Sequence, residues 1–264
     1  MPYVDVDGGK IYFEVDGEGE PLLLCHGVRG SNRNWAFLRP HLRDHFKVIM
    51  PDSRGHGRST ELTEPSTIDL YSKDMIALLD HLQISQCIIA GHSMGGFIVQ
   101  QIALDTPNRV KALILINTAP MVDVEGALVQ IELGKLAYGL EPKEAVLKLL
   151  KFEFYDPEKI RSTPDLFDLL VQLAEEGQRL TNSHGSAQGA CAKFNIQDRV
   201  KEIQAPTLVI CGSGDKTFSP NWADFYAKNL DNVTTKVINK TNHSIQFEQP
   251  EELARAIIEF VDTL

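Results

Sequence analysis

Long apolar runs are missing from this chain. No window holds the roughly 18 or more consecutive apolar residues that a membrane-spanning helix requires, so no membrane role is expected. Positive charge is also short: 26 Lys and Arg stand against 36 Asp and Glu, a net charge of −10. Nucleic-acid binding needs clustered basic residues against phosphates, so a nucleic-acid partner is not expected either. Cysteine is sparse. Cys25, Cys87, Cys191 and Cys211 lie far apart, form no C-x-x-C and mostly sit in or at the ends of apolar runs, which predicts reduced, buried thiols. No His or Cys spacing suggests a zinc site, so no metal is expected. The opening stretch MPYVDVDGGK is acidic and lacks the basic start and apolar stretch of a secretory leader; a cytoplasmic protein is expected. There are no internal repeats and no low-complexity linker. Oligomeric state has no signature in the sequence.

What is present reads as α/β. The 264 residues, 43% hydrophobic, suffice for a large core without disulfides or metals. Alternation on both sides of Asp7-Gly8-Gly9 predicts a β-hairpin. PLLLCHG and FKVIMPDSRG follow as continuous apolar runs that end in turn residues, the pattern of parallel strands covered on both faces. Leu70, Met75, Leu78, Leu79 and Leu82 then recur at helical spacing. QCIIAGHS is a strand, MGGFIVQQIALDTPNRV a helix with a stop at Thr106-Pro107, and VKALILIN a strand. This alternation is the mark of right-handed βαβ units. From Pro120 to Asp198 only helical patterns occur, punctuated by Pro142, Pro157 and Pro164; strands resume with APTLVICGSGD. The expected organisation is a core domain of residues 1–119 and 199–264, with a helical cap of residues 120–198 over the carboxyl edge of its sheet.

At the end of the strand CIIAGHSMGG, a serine stands between glycines two residues away on either side. A tight strand-to-helix turn explains the pattern. Gly91 and Gly95 let strand and helix approach, Gly96 gives the helix room, and Ser93 is held strained with its hydroxyl outward. Active sites of open parallel sheets lie beyond the carboxyl ends of the strands, where Ser93 is placed. A serine hydroxyl needs a base to become nucleophilic, and the base needs an orienting acid. His243, after the last strand in INKTNHSIQFEQP, is the best placed of eight histidines; His92 adjoins Ser93 and should point away. Asp215, in the Gly-containing loop after VICG, is the leading acid, with Asp123 and Asp198 as rivals.

These residues resemble the α/β-hydrolase superfamily, and the resemblance spans the chain. AGHSMGG is similar to its nucleophile elbow, GSGDKTFSP to its acid loop and TNHSIQFEQPEEL to its histidine loop. LCHGVRGS is similar to the His-Gly loop after the third strand, and PDSRGHGRS to the turn after the fourth. Within the superfamily the chain resembles small capped carboxylesterases and 3-oxoadipate enol-lactonase-like hydrolases. The resemblance implies a mostly parallel eight-stranded sheet flanked by helices, with the cap inserted after the sixth strand. It implies the triad Ser93, Asp215 and His243, an oxyanion hole from the backbone N–H groups of Val28 and Met94, and no cofactor. Asp52, Arg54 and Ser59 read as structural.

The implied reaction is hydrolysis of a small-molecule ester or lactone through an acyl-enzyme. Serine rather than aspartate at position 93 disfavours dehalogenase and epoxide hydrolase chemistry. Ser244 replaces the tryptophan usual after the histidine in carbon–carbon bond hydrolases, and Met94 the one usual after the nucleophile in proline iminopeptidases. A cofactor-free perhydrolase, a carbon–carbon bond hydrolase and a non-catalytic small-ligand receptor remain the alternatives. Trp35, Tyr138 and Phe218 are the candidate substrate contacts.

Overall fold

The computed structural model describes residues 2–264. Its strands are β1 (Tyr3–Val6), β2 (Gly9–Asp16), β3 (Glu20–Cys25), β4 (Phe46–Pro51), β5 (Cys87–His92), β6 (Val110–Ile116), β7 (Thr207–Gly212) and β8 (Val233–Ile238). They form one eight-stranded sheet in the order β1-β2-β4-β3-β5-β6-β7-β8. The β1–β2 hairpin turns at Asp7-Gly8, and β2 pairs antiparallel with β4; every later pairing is parallel. The helices are α1 (Arg39–Leu42), α2 (Ile68–His81), α3 (Met94–Asp105), α4 (Val124–Ala137), α5 (Pro142–Glu153), α6 (Pro157–Arg161), α7 (Pro164–Arg179), α8 (Thr181–Lys193), α9 (Trp222–Asn229), α10 (Ile245–Glu248) and α11 (Pro250–Val261). None among the described residues is long and apolar enough to cross a membrane.

The central strands are apolar at successive positions because both of their faces are covered. Leu23, Cys25, Ile89, Leu113, Leu115 and Val209 point to one side, against Met75 and Leu78 of α2, Phe97 of α3 and Tyr226 of α9. Their neighbours Leu22, Leu24, Ile88, Ile114 and Ile210 point to the other, against Leu38, Leu42 and, from α11, Leu253 and Ile257. Side chains alternate across a strand, so a one-residue slip in register would exchange these two sets. Each such aliphatic side chain contributes about 2 kcal/mol by leaving water. All four cysteines are buried and unpaired.

The register brings the strand ends level. Cys25 pairs with Gly91, His92 with Ile116, and Gly212 with Ile238. The loops after β3, β5, β6, β7 and β8 therefore open along one edge of the sheet. Five helices, α4 to α8, lie between β6 and β7. Pro142, Pro157 and Pro164 each open one of them, at the position where a missing N–H is harmless. The two ends of this segment are tied together: Met121 bridges to Asn195, and Ile196 N–H donates to Pro120 O at 2.9 Å. The segment has an apolar cluster of its own, with Val146, Leu150, Phe154, Leu166, Leu169 and Leu173, which also takes in Phe247 from α10.

Candidate active site

Ser93 sits between the last residue of β5 and the first of α3, at φ 54 and ψ −119. A non-glycine residue held there costs about 1–3 kcal/mol and persists only where its surroundings fix it. A Cβ on Gly91 would lie 2.1 Å from Gly95 O, one on Gly95 2.0 Å from Cys25 O, and one on Gly96 2.4 Å from the Thr118 side chain. These glycines let α3 start hard against the ends of β3, β5 and β6. The serine backbone is pinned as well: Ser93 N–H donates to Ile116 O at 3.1 Å, and Thr118 Oγ1 donates to Ser93 O at 2.9 Å.

Asp215 is held by the turn that follows β7. Its Oδ1 accepts from the backbone N–H groups of Thr217 (2.8 Å) and Phe218 (3.1 Å), which aims Oδ2 at His243. His243 Nδ1–H donates to that oxygen at 3.0 Å. The carboxylate is fully buried and the imidazole nearly so. Burial alone would pull the His243 pKa down; the charge of Asp215, its hydrogen bond and the more distant Glu153 outweigh burial and raise it. Donation from Nδ1 leaves Nε2 as the bare nitrogen of the neutral ring. Ser93 is half-buried, and among the described residues its Oγ makes no hydrogen bond, to His243 or to any other group. Hydroxyl–imidazole contacts of this kind commonly tighten only when substrate is bound.

The histidine loop is fastened from below by two residues that the sequence did not flag for this role. Asn117, in the left-handed region at φ 44, follows β6. Its Nδ2 donates to Asn242 O (2.9 Å) and His243 O (2.8 Å), while its Oδ1 accepts from Gly212 N–H (2.7 Å). One amide thus joins the roots of the acid and histidine loops. The second residue is His92. It was expected to turn away from the site; its ring instead packs on that of His243 with centroids 4.8 Å apart, and its Nε2–H donates to His243 O at 2.8 Å. Burial, reinforced by the neighbouring His243, drives the His92 pKa down to about 3, so it is a neutral prop. Glu248 caps the arrangement, accepting from Asn242 N–H and Tyr155 N–H, both at 2.6 Å. A sequence signal existed for Asn117: a polar residue directly after an apolar strand at the sheet's carboxyl edge.

The loop after β3 lies against Ser93 and His92. A Cβ on Gly27 would stand 3.1 Å from Ser93 Cβ. Gly30 N–H donates to Gly27 O at 3.2 Å and closes a turn with Val28 and Arg29 at its centre. Among the described residues, neither Val28 N–H nor Met94 N–H donates to any protein group. Met94 opens α3, so its N–H also carries the positive end of the helix dipole. His26 fixes the loop: Nδ1–H donates to Gly27 O at 2.7 Å and Nε2 accepts from Ser53 N–H at 2.9 Å. Burial brings its pKa down to about 4. Asp52 accepts from Asn32 N–H (2.6 Å) and Arg58 N–H (2.9 Å), and Arg54 forms a buried two-pronged pair with Asp74, so both are structural.

The three candidate substrate contacts fare differently. Phe218 is buried with its ring centroid 5.8 Å from that of His243. Trp35 is a correction: it is fully buried in the apolar cluster with Leu22, Leu24 and Leu38, a core side chain rather than the wall of an entrance. Tyr138 is corrected too, since at 89% exposure it projects from the end of α4 into water and walls no pocket. Asp123, a rival acid, caps α4 instead, accepting from Gly126 N–H at 2.7 Å. An open groove of about 760 Å³ runs between the 61–66 loop and α8, and none of Ser93, Asp215 or His243 lines it. Among the described residues no group of three or more His, Cys, Asp or Glu is placed to hold a metal ion.

A family model described as "alpha/beta hydrolase fold" matches residues 20–250. The chain is 28% identical over 239 residues to 3-oxoadipate enol-lactonase 2 of Acinetobacter baylyi, covering 90% of this chain and 87% of that one. Among solved structures, Est816, described as an N-acyl homoserine lactone degrading enzyme, superposes with a TM-score of 0.81 at 28% identity, over 98% of this chain and 100% of that one. The enol-lactonase of Burkholderia xenovorans LB400 superposes with a TM-score of 0.86 over 99% of this chain and 100% of that one; at 21% identity it speaks to the fold alone.

Proposed function

The chain belongs to the α/β-hydrolase fold family, and on that footing we propose that it is a serine hydrolase that cleaves carboxylic esters or lactones of small molecules. The observation that carries this reading is the 3.0 Å contact of His243 Nδ1–H with the buried Asp215 carboxylate, alongside a serine strained at φ 54. The lactonases among its relatives favour the same substrate class.

Ser93 Oγ attacks the substrate carbonyl carbon while His243 Nε2 takes its proton. Asp215 holds the Nδ1–H tautomer and stabilises the imidazolium. The carbonyl oxygen becomes an oxyanion and accepts from Val28 N–H and Met94 N–H. Loss of one such donor typically costs about 3 kcal/mol of transition-state stabilisation. The tetrahedral intermediate collapses, the carbon–oxygen bond to the alcohol breaks, and the alcohol leaves with the proton from Nε2. Water then gives a proton to Nε2, attacks the acyl-enzyme, and releases the acid with Ser93 restored. In a lactone, alcohol and acid remain one molecule. No step calls for a cofactor.

Residues 120–198 act as a cap on a core of residues 1–119 and 199–264. Ser244 N–H donates to Glu153 O of α5 at 3.3 Å, and Phe247 enters the cap's apolar cluster, so the cap and the histidine loop are joined. The free, buried thiols fit a reducing cytoplasm.

Release of nitrophenol from short and medium acyl esters tests the reading, with peracid formation followed in parallel. Ser93→Ala is expected to lower kcat/KM by at least about 10⁴-fold. Unchanged turnover in that variant would refute the mechanism. Peracid formation outpacing hydrolysis would favour perhydrolysis at the same residues.

A further inference from the structure

The outward face of α4 is apolar. Val124, Leu128 and Ile131 recur at spacings of four and three, so they share one face of the helix, and they are 76%, 61% and 54% exposed. Tyr138, at the C-cap, continues the same stripe. No other helix among the described residues exposes more than one large apolar side chain. The opposite face of α4 is already occupied. Gly126 and Leu133 are buried, and a Cβ on Gly126 would stand 2.5 Å from Thr217 O, in the loop of Asp215. A helix with apolar residues on both faces needs cover on both. The chain itself covers one.

Charge identifies the missing cover. Glu125 and Glu132 lie two turns apart along one edge of the stripe, and Lys135 lies near its far end. All three are exposed, and among the described residues none of them makes an ion pair or a side-chain hydrogen bond. The helix therefore carries an unpaired acid in its first turn and an unpaired base in its last. Turned end for end, it complements itself. In an antiparallel pair centred on Ile131, that residue meets its own copy and Val124 meets the second copy's Tyr138. Lys135 then comes within about 3 Å, along the axis, of the second copy's Glu125. Two-fold symmetry makes each contact twice, apart from the central one.

A bilayer fits worse. Helices that lie on membranes carry lysines and arginines beside their apolar face. This stripe is edged by acids, on a chain of net charge −10.

We propose that α4 is a self-association surface, on which a second copy of this chain packs its own α4 antiparallel through Val124, Leu128, Ile131 and Tyr138. The stripe is one helix wide and about 21 Å long. That is well short of the roughly 800 Å² per partner of a standard interface, so the dimer is weak and forms at high protein concentration. The surface is independent of the hydrolase reading and stands whatever the reaction.

Sedimentation velocity of the intact chain, from micromolar to millimolar concentration, reads the association. Wild type is expected to pass from monomer to dimer. Ile131→Glu sets like charges against each other at the two-fold axis and is expected to weaken dimerisation at least about 10-fold. Lys135→Glu is expected to do the same. Glu125→Lys/Lys135→Glu is expected to restore the dimer, because the exchange rebuilds the pairs with signs reversed. Oxidation at high concentration reads the orientation. Ile131→Cys is expected to give a disulfide-linked dimer and Val124→Cys none, its two copies being about 21 Å apart. All four positions are exposed, so each variant should keep the fold, which thermal unfolding checks. A disulfide in Val124→Cys, a dimer indifferent to Ile131→Glu, or a double exchange as weak as Lys135→Glu overturns the proposal. So does a chain that stays monomeric throughout; binding of that monomer to phosphatidylcholine vesicles, lost in Ile131→Glu, would assign the stripe to a lipid surface instead.

Discussion

Asn117 carries as much of the site as any residue that would touch substrate. Its amide makes three buried hydrogen bonds to backbone groups of two loops, Gly212 on one and Asn242 and His243 on the other. Truncation leaves those groups unpaired, at a cost of about 2–3 kcal/mol. Asn117→Ala is therefore expected to lower Tm by roughly 5–10 °C in calorimetry and to reduce kcat more than it alters KM. A Tm within a degree of wild type would show that the clamp is dispensable. Asp215 supports a pH argument. The raised pKa of His243 means that its neutral, proton-accepting form is lost as pH falls through a value above 6.5. The acid limb of kcat/KM should lie above that value. In Asp215→Asn the charge that raises the pKa is gone, so the limb should move to lower pH while the plateau drops about 10⁴-fold. At this scale the sequence was informative about position, since Ser93, Asp215 and His243 each follow the end of a strand. It was silent where a side chain acts on a distant backbone carbonyl, as Asn117 does across 126 positions. Trp35 was misread because a large aromatic near a loop has the same sequence signature whether it fills a core or lines an opening.

At the scale of elements, the strand–turn–helix around Ser93 is the part with least tolerance. Gly95→Ala would put a Cβ 2.0 Å from a β3 carbonyl, backbone against backbone with no flexible end to yield. It should destabilise by more than about 3 kcal/mol or abolish folding. Gly185 and Gly189 on α8 make the matched contrast, since a Cβ at either meets nothing. Gly185→Ala and Gly189→Ala should each raise stability by about 1 kcal/mol through helix propensity alone, as read by urea unfolding. Loss of stability in these two would mean that α8 packs differently. The strands and long helices were legible because period two, continuous burial and period 3.6 leave distinct marks, and proline opens α5, α6 and α7. The four-residue helices α1 and α10 left no mark, being too short for any period to show. The α4 segment was legible as a helix, but its outward apolar residues Val124, Leu128 and Ile131 gave no hint of which face is buried.

For the molecule as a whole, buried histidines set the acid limit. His26 and His184 are held at about 4 and His92 at about 3, in each case chiefly by burial. His56, between His26 and His184, with ring centroids 5.1 and 4.5 Å away, lies well below its usual value. Around them, His26 faces the charge of Glu176, and His184 faces Arg29 and Arg179. A histidine with a depressed folded pKa binds its proton more readily unfolded. Its contribution, on the order of 3 kcal/mol, is whole above pH 6.5 and is lost as pH falls toward 4. His243 has the opposite sign and lies outside this window. Stability measured by urea at pH 7.5, 5.5 and 4.5 should therefore fall steeply across the last two, before most carboxylates titrate, and His184→Phe should flatten the slope. A flat profile from pH 7 to 4.5 would contradict the burial of these rings. Because α8 carries His184 and the loops after β3 and β4 carry His26 and His56, the seam between α8 and those loops is where acid should act first. The central claim, a nucleophilic serine at the elbow, is tested most directly by trapping the covalent intermediate. The protein is treated with a fluorophosphonate, or quenched in acid during turnover of a nitrophenyl ester, and its peptides are weighed. A single adduct on Ser93, lost in His243→Ala, is the expected result; full turnover with no adduct there, or with the adduct on another residue, would contradict it.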